Sequence, residues 1–182
     1  WSESSPLEAP TYLTEGAGTA FRNLVDFFGP RVVGREYETP AAVGERLSAF
    51  KGNQFAKAAL EICWWTLESK ETGEPLHRLL GGETREVAAG ADFGIQDSFD
   101  MLLGNMQKAV DAGFPRIKLK MARGWDLEML QAVRGTFPDI RIHIDCNGGY
   151  SLDDLPLFKQ IDRLGLEFIE QPLAYNDIIE HA

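Results

Sequence analysis

Apolar positions change their period about halfway along the chain. Before residue 85 they recur at helical intervals. TPAAVGERLSAF predicts a helix with Thr39 as N-cap and Pro40 in the first helical position. NQFAKAALEICWWTLESK predicts a longer helix with Asn53 at its cap and Phe55, Ala58, Ala59, Ile62, Trp65 and Leu67 on its apolar face. Cys63, Trp64 and Trp65 read as helix packing. EPLHRLLGGETRE, with its Gly81–Gly82 pair, predicts a helix end and a linker.

From about residue 86 strands alternate with helices. VAAGADFGI, RIKLKM, RIHIDCN and LEFIEQPL read as strands. Between them lie DSFDMLLGNMQKAVDAG, capped by Asp97 or Ser98, then DLEMLQAVRGTF, then SLDDLPLFKQIDRLG with a Ser151–Asp154 capping box. Alternation of this kind implies a parallel sheet. NDIIEHA reads as a further helix just beginning. Trp1-Ser2-Glu3, without an initiator methionine or a recognisable signal peptide, reads as a cut end.

Composition adds mainly exclusions. The 182 residues are 44% hydrophobic and 25% charged, an ordinary globular balance. A net charge of −10 argues against nucleic acid as a partner. No run of eighteen apolar residues occurs, so no membrane-spanning helix is expected. Cys63 and Cys146 show neither metal-site spacing nor a disulfide framework, which fits a reducing, cytoplasmic setting.

The chemistry repeats with the βα step. Lys118 and Lys120 end one strand, Asp145 and Asn147 the next, and Glu170 the one after, with positions 120, 145 and 170 evenly spaced. On a strand, residues i and i+2 share a face. A Lys-x-Lys pair alone is usually a solvated strand face, and a lone aspartate there is usually a turn residue. Recurrence at matched strand ends favours convergence on one point. In a TIM barrel that rim gathers the active site. A doubly wound sheet also binds ligands at strand ends, but its glycine-rich phosphate loop is not found here. Converging carboxylates suit a hard divalent cation such as Mg²⁺. Two lysines beside it would face an anionic substrate, with mutual repulsion, metal and burial lowering a lysine pKa toward that of a usable base. His143 shares the parity of Asp145 and reads as a packed core histidine one layer deeper, whereas Cys146 points away from the pocket.

RIKLKM, IDCNGGY and FIEQPL together resemble the enolase superfamily, in its muconate-lactonizing subgroup, and most of all its o-succinylbenzoate synthases and N-succinylamino acid racemases. The resemblance covers essentially the whole chain, and WSESSPLEAPTYLTE is similar to the family's capping-domain segment. It implies an α/β fold: a truncated, mostly helical α+β capping domain over 1–85, then a partial TIM (β/α) barrel of about four βα units over 86–182. It implies Lys120 as the base removing a proton α to a carboxylate, with Lys118 stabilising the resulting charge and helping to lower the pKa of Lys120. Enolase-superfamily sites pair such a base with Mg²⁺; Asp145 and Glu170 would be two of three ligands to Mg²⁺ or Mn²⁺. Asn147, Asp92, Pro10 and Tyr12 would lie near a small-molecule carboxylate substrate. The family's third metal carboxylate and second lysine have no counterpart here. Dehydration to o-succinylbenzoate in menaquinone synthesis is the leading expectation, and racemisation of N-acylamino acids the alternative. A catalytically silent fragment is the alternative of another class, and a homo-oligomer of the full-length protein stays open.

Overall fold

The computed structural model describes residues 1–83 and 86–181; Thr84 and Arg85 of the expected linker, and Ala182, lie outside the described residues. The chain divides into two compact units, Trp1–Arg85 and Glu86–Ala182.

In the first unit, α1 (Ala17–Arg22) runs through a π-helical segment (Asn23–Phe28) into α2 (Gly29–Val32), followed by α3 (Pro40–Leu47), α4 (Gln54–Thr72) and α5 (Leu76–Leu79). Thr39 caps α3, its hydroxyl accepting from the Ala42 N–H at 3.3 Å. Asn53 stands at the head of α4 in the left-handed region (φ 58°) and makes no side-chain cap. The Glu15 carboxylate caps the helix instead, accepting from the N–H groups of Gln54 and Phe55. Its charge also suits the positive end of the helix dipole. The buried face of α4 meets the expected one at Ala59 but is otherwise rotated from it: Ile62, Cys63 and Leu67 are exposed, while Ala56 is buried. Ala56, Leu60 and Trp64, one helical row, meet the cluster of Ala20, Phe28, Val43 and Leu47. Small alanines permit that close approach, and the Trp64 indole N–H finds the Tyr37 carbonyl at 3.0 Å.

The second unit contains β1 (Ala91–Phe93), α6 (Phe99–Asp111), β2 (Arg116–Lys120), α7 (Leu127–Thr136), β3 (Arg141–Asp145), α8 (Leu155–Ile161) and β4 (Ile169–Glu170). All neighbouring strands pair in parallel, in the order β1-β2-β3-β4. Right-handed crossovers along an order that never reverses put every helix on one face. That is an arc of a (β/α) barrel and not a doubly wound sheet, whose order reverses. β1 and β4 are shorter than VAAGADFGI and LEFIEQPL suggest, because each pairs along only one edge of the described sheet.

Ser98, not Asp97, caps α6, accepting from the Met101 N–H at 3.1 Å. The Ser151–Asp154 box forms, but it opens a 3₁₀ turn (Leu152–Asp154) that precedes α8. Residues 176–181 form no helix where a helix start was expected; turns fall at 175–176 and 180–181. Arg134 pins the lower loops: its guanidinium donates to the carbonyls of Phe137, Pro138, Ile140, Leu164 and Gly165.

Ile117, Leu119, Ile142 and Ile144 pack toward the helices, in one core with Leu102, Met106, Met129, Leu130, Val133 and Ile161. Strand parity then sends Lys118, Lys120, His143 and Asp145 to the opposite face. Burying one face of the sheet therefore sets where the chemistry points.

Candidate functional site

Register brings the candidate residues level. Lys120 is the Cα partner of Asp145 across β2 and β3, and Asp145 is the partner of Glu170 across β3 and β4. The Lys118 ammonium donates to Asp145 Oδ2 and to Glu170 Oε2, both at 2.8 Å. Lys120 donates to the same Asp145 Oδ2 at 2.7 Å and to Asn147 Oδ1 at 2.8 Å. Asn147 follows β3 with φ 46°, a left-handed conformation that asparagine tolerates better than most residues. That turn lets its N–H donate to Asp145 Oδ1 at 3.0 Å.

Asp145 is 2% exposed and sits between two ammonium groups. Burial pushes its carboxyl up, but Lys118, Lys120 and the Asn147 N–H outweigh that and hold it at about 2. For Lys118, burial pushes downward, yet Asp145 and Glu170 together win and raise it above the ordinary lysine value. Two carboxylates stand against the two cations, so attraction replaces the repulsion that Lys-x-Lys suggests.

His143 is 6% exposed and stacks on Phe168 with ring centroids 4.3 Å apart. Burial first, then Lys118 and Arg116, lower its pKa, and its Nδ1 has no hydrogen-bond partner among the described residues. Cys146 lies in the helix-side core, where burial pushes its thiol to about 12. Asp92 is the register partner of Lys118 and lines a cavity with Lys118, Arg116 and His143. Pro10 and Tyr12 belong to the first unit, where both are exposed and Tyr12 lines a shallow apolar cavity with Leu7, Leu13 and Phe55. The second unit thus gathers Lys118, Lys120, Asp145, Asn147 and Glu170, with Asp92 beside them.

Asp145 and Glu170 offer hard carboxylate oxygens from paired positions on adjacent strands, a donor set that suits Mg²⁺. Among the described residues no group of three His, Cys, Asp or Glu is placed to hold a metal. The fit therefore extends to two protein ligands.

Sequence reasoning passed over Arg123. Its guanidinium makes a two-pronged pair with Asp154 (2.7 Å for each bond) and lies 5.2 Å from the centroid of the Tyr150 ring. The Asp154 side of the pair was visible only as a capping box.

Comparison with known proteins bears on the family and the fold. Residues 102–182 match the family described as enolase C-terminal domain-like. The chain is 43% identical to the N-succinylamino acid racemase of Thermus thermophilus over 173 residues, 95% of this chain and 47% of that protein. It is 40% identical to the o-succinylbenzoate synthase of Bacillus subtilis, covering 100% of this chain and 48% of that one. The chain belongs to the enolase superfamily. Its fold superposes on an enolase-superfamily member from Listeria innocua with TM-score 0.93 at 31% identity, over 100% of this chain and 49% of the other. The chain spans about half the length of the relatives it matches. Its four-stranded parallel sheet accordingly belongs to the superfamily's TIM-barrel-like C-terminal domain.

Proposed function

We propose that the complete protein is a Mg²⁺-dependent o-succinylbenzoate synthase, and that residues 1–85 form part of its capping domain and residues 86–182 the first half of its catalytic barrel. The observation that carries the proposal is the Lys118–Asp145–Lys120 cluster, joined to Glu170, at the ends of three adjacent strands. A proton α to a carboxylate is weakly acidic, and its loss adds a second negative charge that needs prepared cations nearby. Lys120 takes the α-proton. The electron pair moves into the carboxylate, beside the Lys118 ammonium. The charge then returns to expel the β-hydroxyl, to which the Lys120 ammonium gives its proton, releasing water and the aromatic product. One lysine on one face suffices for this sequence. Asp145 and Glu170 would hold the metal, which supplies electrostatic stabilisation of the substrate carboxylate.

The racemase alternative shares the first step and is favoured by the 43% identity to a racemase. It needs a second acid on the opposite face of the carbon. A direct test offers the purified complete protein both substrates, the hydroxycyclohexadiene carboxylate and an N-succinylamino acid. Formation of o-succinylbenzoate as the faster reaction supports the synthase. Racemisation without dehydration would replace it with the alternative.

A further inference from the structure

Two contacts join the end of β2 and the segment after it to the segment after β3. The inner one is Lys120 to Asn147 at 2.8 Å. The outer one is Arg123 to Asp154, with Nη1 to Oδ1 and Nη2 to Oδ2 both at 2.7 Å. Bidentate pairing fixes orientation as well as distance, which a single bond does not. Asp154 is rigidly held in its own right: Oδ2 also accepts from the Ser151 N–H at 2.8 Å. The Arg123 guanidinium is seated over the ring of Tyr150, a residue 5% exposed whose ring meets Phe158 edge-on at 5.2 Å.

The backbone between these contacts, residues 146–150, is fastened to the end of β4. The Cys146, Gly148 and Tyr150 N–H groups donate to the carbonyls of Glu170, Gln171 and Pro172. One side of the 147–150 turn is therefore held by β4. Arg123 meets the turn from the other side, at Tyr150, while Asn147 is tied at its start by the Lys120 ammonium and by its own N–H bond to Asp145 Oδ1. Gly148 carries φ 73° with the Leu173 carbonyl 3.1 Å from where a Cβ would stand, so the turn has little room to shift toward β4.

We propose that Arg123 is a positioning residue: through Asp154 and Tyr150 it holds the 147–150 turn so that Asn147 stays within reach of the Lys120 ammonium. The catalytic half of this statement rests on the role of Lys120 proposed above; the structural half does not. Arg123 touches neither Lys118, Lys120, Asp145 nor Glu170 in the structure's ion pairs, so it acts on them only through the turn.

The test uses the complete protein with Arg123→Met, which keeps much of the aliphatic stem, and Arg123→Lys, which keeps the charge but not the fork. Hydrogen exchange should show the amides of residues 147–151 opening at least tenfold faster in Arg123→Met, with those of residues 142–145 unchanged. The kcat for α-proton removal should fall about tenfold with KM little altered, and Arg123→Lys should recover part of the loss. Uniform acceleration of exchange across β3 would mean a merely stabilising ion pair and overturn the proposal, as would unchanged exchange at 147–151. Local loosening with unchanged kcat would overturn the positioning role. If Lys120→Ala retained parental activity while 147–151 loosened in Arg123→Met, the role assigned to Lys120 would fail and the clamp would stand.

Discussion

Asp145 and Glu170 are Cα partners on β3 and β4, and one ammonium group, that of Lys118, donates to both at 2.8 Å. The bridging lysine occupies the space between the two carboxylates that the proposed metal would share. Replacing Lys118 with alanine leaves those carboxylates facing each other with one fewer cation. Magnesium affinity of the complete protein, measured by calorimetry, should not fall in this variant, while turnover should drop by about 10²-fold or more through lost charge stabilisation. Asp145→Asn should do the reverse for binding, weakening Mg²⁺ affinity about tenfold or more. It should also abolish turnover.

Arg134 supplies a stability prediction. Five backbone carbonyls accept from its guanidinium, and three of them precede β3 while two precede β4. Arg134→Ala would leave these carbonyls without their donor, those of Phe137, Ile140 and Leu164 at partly buried contacts. Urea unfolding should show a loss of about 2–4 kcal/mol, within the range expected for a charged hydrogen-bond hub. A loss below about 0.5 kcal/mol would mean that water replaces the guanidinium without cost.

The Arg123–Asp154 pair has a pH signature. Hydrogen bonds from Arg123 and the Ser151 N–H hold the Asp154 carboxyl down from 3.8 to about 2. A carboxyl lowered on folding stabilises the fold above its unfolded value, and that stabilisation is lost as pH falls through the folded value. The Tm gap between parent and Arg123→Met should therefore be constant above about pH 5 and close between about pH 4 and pH 2. A gap that widened on acidification would contradict the ion pair.

The cysteines should differ in reactivity. Cys63 is exposed on α4, whereas Cys146 is 3% exposed within the core. Iodoacetamide at neutral pH should label Cys63 and leave Cys146 intact until the chain is unfolded, as read by peptide mass spectrometry.

Much of the second unit was legible in the sequence because both strand parity and turn chemistry are local. Ile117, Leu119, Ile142 and Ile144 alternate with Lys118, Lys120, His143 and Asp145, so burying one set fixes the direction of the other. The first unit was harder to read. The cap of α4 comes from Glu15, which no local pattern near Asn53 announces. Its buried row follows Ala56 and Trp64 because other helices press there, a tertiary choice among several apolar rows on one helix. Within the candidate site, the residue types and spacing were readable, but the ion pairs were not. Lys118 is raised because two carboxylates from other strands close on it, and only the register reveals that. Arg123 escaped notice for the same reason, since its partner lies 31 residues away.

In the proposed reaction Lys120 removes a proton α to a substrate carboxylate. The most direct measurement is proton NMR of α-hydrogen exchange in deuterated buffer, with the complete protein, Mg²⁺ and an N-succinylamino acid, comparing parent with Lys120→Ala. Exchange is expected in the parent, with a loss of about 10³-fold or more in the variant and its circular dichroism unchanged. Exchange at the parental rate by a folded Lys120→Ala protein would contradict it.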